Sequence, residues 1–384
     1  MKTLTNVIRV FVGVLFIISG LVKVNDPLGL TYKMQEFFEI WNAGLATSGF
    51  FLKSPLMALF DFLHEHSLAL SVAMNALEIM AGVALLLGWA RNFVLKLLLL
   101  LMVFFTFLTA YAYLSGKFRS CGCFGDCLPI PPFTSFLKDV LLLVMIIFLN
   151  IYQRYILPVA APPVRTAVLG LFLLISLGGQ WYVLNYLPVV DCLPFKKGAN
   201  ILRQMQIPPG SIPDSFAIRF VYEKGGKQFE FSPEQLPADL GTYTFKERTD
   251  KLVRQGNAEP PIKGFALMGP NMDSTRLVMA QPACLLLFWE NQSRPLKSWA
   301  ADFQQVSAAA AAKGLPVYVA TAMPVEKAAD LLARNGITNV QLFSCDVTAI
   351  RTAARTNPCL YLLKGGTVQE KYSYREMEKV VGEL

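Results

Sequence analysis

Three cysteines stand within seven residues in the segment Cys121-Gly122-Cys123-Phe124-Gly125-Asp126-Cys127. Thiols spaced this closely can exchange disulfides with a partner. A disulfide between Cys121 and Cys123 would close a very small ring, and strained disulfides are the more easily reduced ones. Cys127 would then serve as the resolving or exchanging thiol. Thiol–disulfide exchange is therefore the favoured interpretation of this loop.

Two other interpretations of the loop stay open. One is a static disulfide that pins the loop in an oxidising compartment. The other is a metal site, although three thiolates need a fourth ligand to complete tetrahedral zinc. His64 and His66 are the only histidines, and they lie in another loop on the same side. We interpret them as a solvated loop end and predict no metal.

Glu78 is the ionisable residue that lies deepest in an apolar stretch, where a charge is costly and usually functional. Lys23 ends the first apolar stretch and is its candidate partner. The functional interpretation is a proton-handling group beneath the cysteine loop. The structural interpretation, slightly favoured, is an ion pair that holds two helices together. A quinone or small-molecule pocket beside Glu78 is a third alternative, and no cofactor is otherwise indicated.

The composition indicates which elements must position these residues. The chain has 384 residues, of which 54% are hydrophobic and 16% charged, against about 25% charged in soluble domains. Residues 1–190 carry 12 basic and 8 acidic residues, and residues 191–384 carry 23 and 19. The first half is therefore predicted to be membrane-embedded and the second half soluble. Basic residues form no cluster, which argues against nucleic-acid binding.

Five apolar stretches approach the roughly 20 residues that cross a bilayer. A sixth, Leu30–Phe51, contains Lys33, Glu36 and Glu39 beside several aromatic residues, which favours an interfacial or re-entrant helix. The first stretch has no A-x-A-like cleavage site after it and is predicted to be retained. The predicted spans are Leu4–Val24, Ser67–Trp89, Phe93–Leu114, Phe136–Leu157 and Val164–Leu187.

The loop charges predict the orientation. Basic residues flank one side of the bundle and are expected in the cytoplasm; these are Lys2, Arg9, Arg91, Lys96, Arg154 and Arg165. All seven cysteines then lie outside, where disulfides persist. We therefore predict a bacterial inner-membrane protein with a cytoplasmic N-terminus and a periplasmic C-terminal half.

The C-terminal half contains two kinds of pattern. Ala217–Tyr222 and Gln228–Phe231 alternate apolar and polar residues around Gly225-Gly226, which predicts a β-hairpin. From Gly264 onward, strands and helices alternate, which predicts an α/β sheet. The predicted domains are a four-helix membrane domain (1–160), a fifth span (161–190), a hairpin-containing linker (191–263) and an α/β domain (264–384).

Several of these segments resemble a known family. Ser19-Gly20-Leu21-Val22-Lys23 and Glu78-Ile79-Met80-Ala81-Gly82 look like the first two helices of DoxX-type membrane proteins. Cys121-Gly122-Cys123-Phe124-Gly125 resembles the loop of their MauE-type relatives. A fifth span fused to an exoplasmic domain looks like a DoxX-family arrangement of Bacteroidetes.

The DoxX resemblance covers roughly residues 1–155. It implies a four-helix bundle similar in plan to DsbB and vitamin K epoxide reductase. It also implies a role in forming disulfides in partner proteins, with which MauE-like proteins are associated. The C-x-x-C pair usual in DsbB-type enzymes is absent, which argues against quinone-coupled oxidation.

The α/β domain resembles thioredoxin. Leu287-Phe288-Trp289 looks like the strand that leads to its active site, and Pro358 resembles its cis-proline. Where the C-x-x-C should stand, the sequence is Glu290-Asn291-Gln292-Ser293-Arg294-Pro295. Without a thiolate there is no nucleophile for exchange. The domain is therefore predicted to be a docking or structural module, with Pro358 and Cys359 on its partner-binding face.

The remaining cysteines are expected to be less informative. Cys284, Cys345 and Cys359 fit buried positions in strands, and Cys192 follows the last span, where a bond to the loop is one alternative. An odd number of cysteines leaves at least one thiol free or paired between chains.

Two functions follow from the sequence. The first is envelope thiol–disulfide exchange with a cysteine-bearing periplasmic or membrane protein, in which Cys123 or Cys127 attacks the partner's disulfide and the C-x-C pair resolves. The second is a non-catalytic membrane scaffold with a structural loop disulfide.

Overall fold

The first half of the chain is helical. The computed structural model describes residues 1–118, 125, 127–128, 130–254 and 256–384. In chain order, the helices of the first half are α1 (Lys2–Asn25), α2 (Pro27–Ala46), α3 (Lys53–Glu65), α4 (Ser67–Leu87), α5 (Arg91–Ser115), α6 (Pro132–Ile151) and α7 (Pro162–Asn185).

Helices α1, α4, α5, α6 and α7 are long and apolar enough to cross a membrane, and they are the five such helices found among the described residues. The protein is thus a multi-pass membrane protein, and the five predicted spans are confirmed. The sixth stretch begins at Pro27 rather than Leu30, because the Asp26 carboxylate accepts a hydrogen bond from the Gly29 backbone N–H at 3.0 Å. An acidic cap followed by proline is a strong helix start.

Helices α1 and α4 approach each other closely through glycine. A Cβ atom on Gly82 would lie 2.7 Å from the Gly13 carbonyl oxygen, so no side chain fits between the two backbones. Small residues of this kind allow two helices to pack closely. In a membrane such close packing drives helix association, because the hydrophobic effect does not act between helices there. Around this contact the bundle core is fully buried, with Ile79, Leu98 and Ile146 from three different helices.

One end of the bundle is closed by Arg9. Its guanidinium donates to the carbonyl oxygens of Leu85 (2.9 Å), Leu86 (2.7 Å) and Leu157 (3.1 Å). The Leu85 carbonyl also accepts from the Gly88 backbone N–H at 3.1 Å, so Arg9 adds to the partners of the last carbonyls of α4, a place where a helix runs out of its own donors. Lys23 lies at the other end of α1, roughly 21 Å away at 1.5 Å per residue.

A small three-stranded sheet follows the bundle and the short helix α8 (Ile201–Gln204). Strand β1 (Ser215–Lys224) pairs with β2 (Lys227–Phe231) across Gly225 and Gly226, which both have positive φ. The predicted hairpin is confirmed. Strand β3 (Thr244–Arg254) pairs on the other side of β1 and was missed, because its charged sequence lacks the apolar alternation of a half-buried strand.

The C-terminal part is a mixed five-stranded sheet in the order β6-β5-β4-β7-β8. Strands β4, β5 and β6 are parallel to one another. Strand β7 is antiparallel to both of its neighbours, β4 and β8. This confirms a mixed α/β region, and a short 3₁₀ helix, Met377–Gly382, follows the last strand. The elements are α9 (Thr275–Met279), β4 (Cys284–Trp289), α10 (Ala300–Ala312), β5 (Val317–Thr321), α11 (Val325–Ala333), β6 (Gln341–Ser344), α12 (Val347–Ala353), β7 (Cys359–Lys364) and β8 (Thr367–Ser373).

Both faces of the central strand β4 are buried, as expected for a strand between two helical layers. Leu287 lies in one core with Phe303 of α10, whereas Phe288 lies in the other with Ile350 of α12. Phe195 also belongs to the second core, with its ring 6.2 Å from that of Phe288. The segment after the last span, predicted as a linker, therefore contributes to the core of the α/β domain.

Candidate functional site

A disulfide joins Cys127 to Cys192, with the two Cα atoms 4.9 Å apart. It connects the loop between α5 and α6 to the segment that follows α7, 65 residues later in the chain. Both residues are partly exposed. Sequence reasoning had left this pairing as one alternative. Cys121 and Cys123 lie outside the described residues.

The described ends of the cysteine loop contact the first two helices. Phe118 stacks on Phe37 of α2 with ring centroids 4.2 Å apart. A Cβ atom on Gly125 would lie 3.7 Å from Val22 of α1. Val22 also borders a small crevice with Cys127 and Cys192. We call this part of the molecule the cysteine end.

Lys23 and Glu78 form a buried ion pair at the cysteine end. The Lys23 ammonium donates to both Glu78 carboxylate oxygens, at 2.6 and 2.8 Å, and the Ser19 hydroxyl donates to the same carboxylate at 3.1 Å. The exposed fractions of the Lys23 and Glu78 side chains are 7% and 1%. The structure thus brings the two sequence-predicted residues together, 55 residues apart in the chain.

A second ion pair, Lys138–Asp139, lies in the same region, and the Thr109 hydroxyl donates to Asp139 at 3.1 Å. The predicted span Phe136–Leu157 places Asp139 in its first turn, near the membrane surface, but Asp139 is only 1% exposed. The reason is that α6 begins at Pro132 and not at Phe136, which places Asp139 about two turns inside the helix.

Both ion pairs line one cavity of about 370 Å³. Its walls come from α1 to α6 and are mostly apolar and aromatic, including Phe37, Trp41 and Phe105. The volume is within the range of small-molecule sites, about 300–1,000 Å³. Two ion pairs, Lys23–Glu78 and Lys138–Asp139, thus lie beside a largely apolar space.

The two histidines have local partners. His64 Nε2 lies 3.0 Å from a carboxylate oxygen of Glu39, and His66 Nδ1 lies 2.9 Å from the Phe62 carbonyl oxygen. In the part of the chain that the structure describes, no three His, Cys, Asp or Glu side chains are grouped as metal ligands.

The three cysteines of the α/β domain are buried and unpaired with one another. Burial raises the pKa of the Cys284 and Cys345 thiols to about 12 and that of Cys359 to about 11. Cys359 is 0% exposed, so its side chain offers no surface to a partner. Pro358 is buried as well, and its peptide bond with Asn357 is cis.

A network of polar side chains occupies the loop that follows β4. The Asn357 side chain accepts from the Glu290 backbone N–H at 3.0 Å and donates to the Asn291 carbonyl oxygen at 3.1 Å. Arg294 Nε donates to the Asn357 carbonyl oxygen at 3.2 Å. This network, which also includes the Ser293 hydroxyl, orders the loop and contains no thiol.

Residues 1–152 match the family model described as methylamine utilisation protein MauE. The membrane half is MauE-like. The match ends with α6, so that α7 lies beyond it. Residues 216–255, which contain most of the three-stranded sheet, match a domain of unknown function, DUF8463. Neither the curated proteins nor the solved structures provide a match to the chain.

A buried ion pair connects the MauE-like half to the α/β domain. Arg355 Nε donates to both Asp26 carboxylate oxygens, at 2.9 and 2.8 Å. Arg351, one turn earlier, pairs with Glu290 at 2.9 Å and lies over the Tyr32 ring of α2 at 4.9 Å. Burial raises the pKa of Tyr32 to about 12, which keeps this phenol neutral.

Sequence reasoning missed this connection. Asp26 and Arg355 are 329 residues apart, and neither stands in a pattern that requires a distant partner. The one usable signal was Asp26 itself, an acid at the end of an apolar span.

Proposed function

We propose that this MauE-like protein is a component of thiol–disulfide exchange in the bacterial cell envelope. The observation that carries the proposal is the contrast among its thiols. Cys127 and Cys192 form a partly exposed disulfide at the cysteine end. Cys284, Cys345 and Cys359 are buried thiols that stay protonated at neutral pH.

In the oxidised form, the Cys127–Cys192 disulfide is the electron acceptor. A thiolate of a partner protein attacks one of the two sulfurs, a mixed disulfide forms, and the other sulfur leaves as a thiolate. A second partner thiolate then displaces the first cysteine. The partner loses two electrons and gains a disulfide, while Cys127 and Cys192 become thiols. Cys121 and Cys123 are further candidate thiols of the same loop.

The orientation that suits this chemistry has a cytoplasmic N-terminus and a periplasmic cysteine end. Disulfides persist in that compartment, and the basic residue Arg9 lies at the opposite end of the bundle. The partner is then a cysteine-bearing periplasmic or membrane protein. We infer that the α/β domain is a thioredoxin-like module that lacks its C-x-x-C, and that the bundle is related to DoxX-type proteins.

The Lys23–Glu78 pair would handle protons for the exchange, since thiols release protons on oxidation and take them up on reduction. The cavity beside Glu78 favours an additional ligand, a quinone or another lipid-soluble small molecule, because it combines apolar walls with two ion pairs.

The scaffold remains the second candidate, and two observations favour it. The Cys127–Cys192 bond ties the membrane loop to the segment that enters the α/β domain. A crosslink closing a loop of 65 residues stabilises a fold by ~4 kcal/mol in the chain-entropy treatment. The Asp26–Arg355 ion pair fastens the same two parts. Both contacts would serve a rigid docking platform.

A redox titration of the intact protein in detergent tests the two candidates. Glutathione buffers set the potential, and alkylation followed by mass spectrometry reports each cysteine. Exchange predicts a reversible transition of Cys127 and Cys192 above about −250 mV, whereas a bond still oxidised below about −300 mV is structural. The Cys127→Ser variant is the matched control and must lose the transition.

A further inference from the structure

The segment that carries Cys192 is held by contacts that involve no sulfur. Asn25, the last residue of α1, makes two hydrogen bonds with the backbone of Val190. Its side-chain amide donates to the Val190 carbonyl oxygen at 2.8 Å, and its side-chain oxygen accepts from the Val190 N–H at 2.9 Å. The Lys23–Glu78 ion pair lies two residues before Asn25, so the membrane half fixes this attachment.

A second attachment comes from the α/β domain. Lys371 of β8 pairs with the Asp191 carboxylate at 2.8 Å, and the Lys371 side chain is only 8% exposed. The Asp191 carboxylate also accepts from the Leu193 N–H at 3.1 Å. Leu193 itself is 4% exposed. The residues on both sides of Cys192 are therefore fixed by different parts of the fold.

We propose that Asn25 and Lys371 are positioning residues that keep Cys192 beside Cys127 after the disulfide has been reduced. This inference rests on the proposed function, because a held thiol matters only to a bond that opens and closes. Holding one thiol next to another raises its effective concentration and favours ring closure over a mixed disulfide. The two side chains would thus determine how oxidising the bond is.

The test compares the disulfide equilibrium in variants of the full-length protein in detergent. The background is Cys121→Ser/Cys123→Ser, which leaves Cys127 and Cys192 as the loop pair. Glutathione buffers, extended with dithiothreitol, give the effective concentration of the two thiols. Asn25→Ala removes two hydrogen bonds and is expected to lower that concentration about tenfold. This equals about 30 mV for a two-electron couple.

Two further variants refine the test. Asn25→Asp keeps the acceptor for the Val190 N–H but loses the donor, and should lower the effective concentration about threefold. Lys371→Met acts from the other domain and should lower it about fivefold. Because Asn25 and Lys371 hold the consecutive residues Val190 and Asp191, the double variant Asn25→Ala/Lys371→Met measures the coupling between the two attachments. If Asn25→Ala does not fold, Asn25→Asp and Lys371→Met carry the test.

Asn42→Ala is the matched control, since Asn42 makes an exposed hydrogen bond with Asp61; it should stay within twofold of the background. The melting temperatures of the reduced and oxidised forms distinguish a residue that positions Cys192 from one that only stabilises the fold. An Asn25→Ala variant that melts earlier in both forms by the same amount, with an unchanged glutathione equilibrium, would overturn the inference. A Cys127–Cys192 bond that stays oxidised below about −300 mV would instead refute the proposed function. The effective concentrations of the variants could still be compared with that of the background.

Discussion

Two places in this molecule resemble redox sites, and they differ in where their sulfur lies. At the cysteine end, Cys127 and Cys192 are paired and partly exposed. Beside the cis peptide bond of the α/β domain, Cys359 is fully buried, and Asn357 organises a loop without a thiol. In the proposed function, the chemistry lies where sulfur is exposed, and the cis peptide bond of the α/β domain does not indicate its place.

The charged side chains of the two places also have different surroundings. At the cysteine end, Lys23–Glu78 and Lys138–Asp139 line an apolar cavity. At the α/β domain, Glu290 pairs with Arg351 in a network that also reaches α2 through Gln35, at 3.4 Å. Charges around a cavity can serve a ligand or a proton, whereas charges within an interface serve attachment.

The largest effect is expected from removing one sulfur. In the Cys121→Ser/Cys123→Ser background, Cys192→Ser should abolish the redox transition of Cys127 completely, because the loop then contains no second thiol. Alkylation with mass spectrometry across a glutathione series measures this. Cys345→Ala, which changes a buried thiol of the other region, should leave the transition in place. A retained transition in Cys192→Ser would mean that Cys127 pairs with another thiol.

The next effect is the difference in thiol reactivity between the regions. At pH 8, a thiol with a pKa of about 11, such as Cys359, is about one-thousandth thiolate, whereas an ordinary thiol of pKa about 8.5 is about one-quarter thiolate. After reduction, iodoacetamide should modify the partly exposed Cys127 and Cys192 on the order of two-hundredfold faster than the buried Cys359. Because the pKa of Cys359 is raised to about 11, its rate should still climb about tenfold between about pH 9 and pH 10 and level off above about pH 11, whereas an ordinary thiol levels off near pH 9. Equal rates in the folded protein would remove the contrast between the two regions.

Breaking the buried ion pair of the cysteine end should be costly. Glu78→Leu leaves the Lys23 ammonium buried without a counter-ion, and should lower the free energy of unfolding by about 3–5 kcal/mol. The double variant Lys23→Met/Glu78→Leu should recover most of that loss, since an apolar pair of similar volume replaces the ion pair. Thermal unfolding in detergent, with exposed Glu65→Gln as control, measures both. A double variant no more stable than Glu78→Leu would contradict the pairing.

The smallest of these effects concerns the α/β domain. Asn357→Ala removes the hydrogen bonds to Glu290 and Asn291, which should reduce stability by about 1–3 kcal/mol. The redox transition of Cys127 and Cys192 should not move, and thermal unfolding together with the glutathione titration reports both quantities. A shifted transition would show that the two regions are coupled.

The parts of the fold that follow from local patterns were predictable. The five spans are continuous apolar runs, and the hairpin around Gly225-Gly226 alternates apolar and polar residues. Strand β3 was not predicted, because it is an exposed, charged edge strand. Its pairing with β1, and not an apolar pattern of its own, makes it a strand. The start of α6 at Pro132 was not predicted either, and neither was the burial of Asp139 that follows from it.

The site was predictable only where a residue type was out of place. Glu78 and Lys23 are conspicuous because apolar surroundings make charges costly, and the structure pairs them. The choice of Cys192 over a neighbouring loop cysteine as the partner of Cys127 depends on how α6 and α7 return the chain to the same end. The Asp26–Arg355 contact depends on how two separately folded regions meet, which no local pattern encodes.

The Cys127–Cys192 bond also has a consequence for how the protein is made. Two helices, α6 and α7, separate its cysteines in the chain. The bond cannot close when just one of the two helices has been inserted, because the two sulfurs then lie on different sides of the bilayer. The bond therefore forms only after α7 has been synthesised. A non-reducing gel that resolves the crosslinked form then reports the chains in which Cys127 and Cys192 have reached the same side.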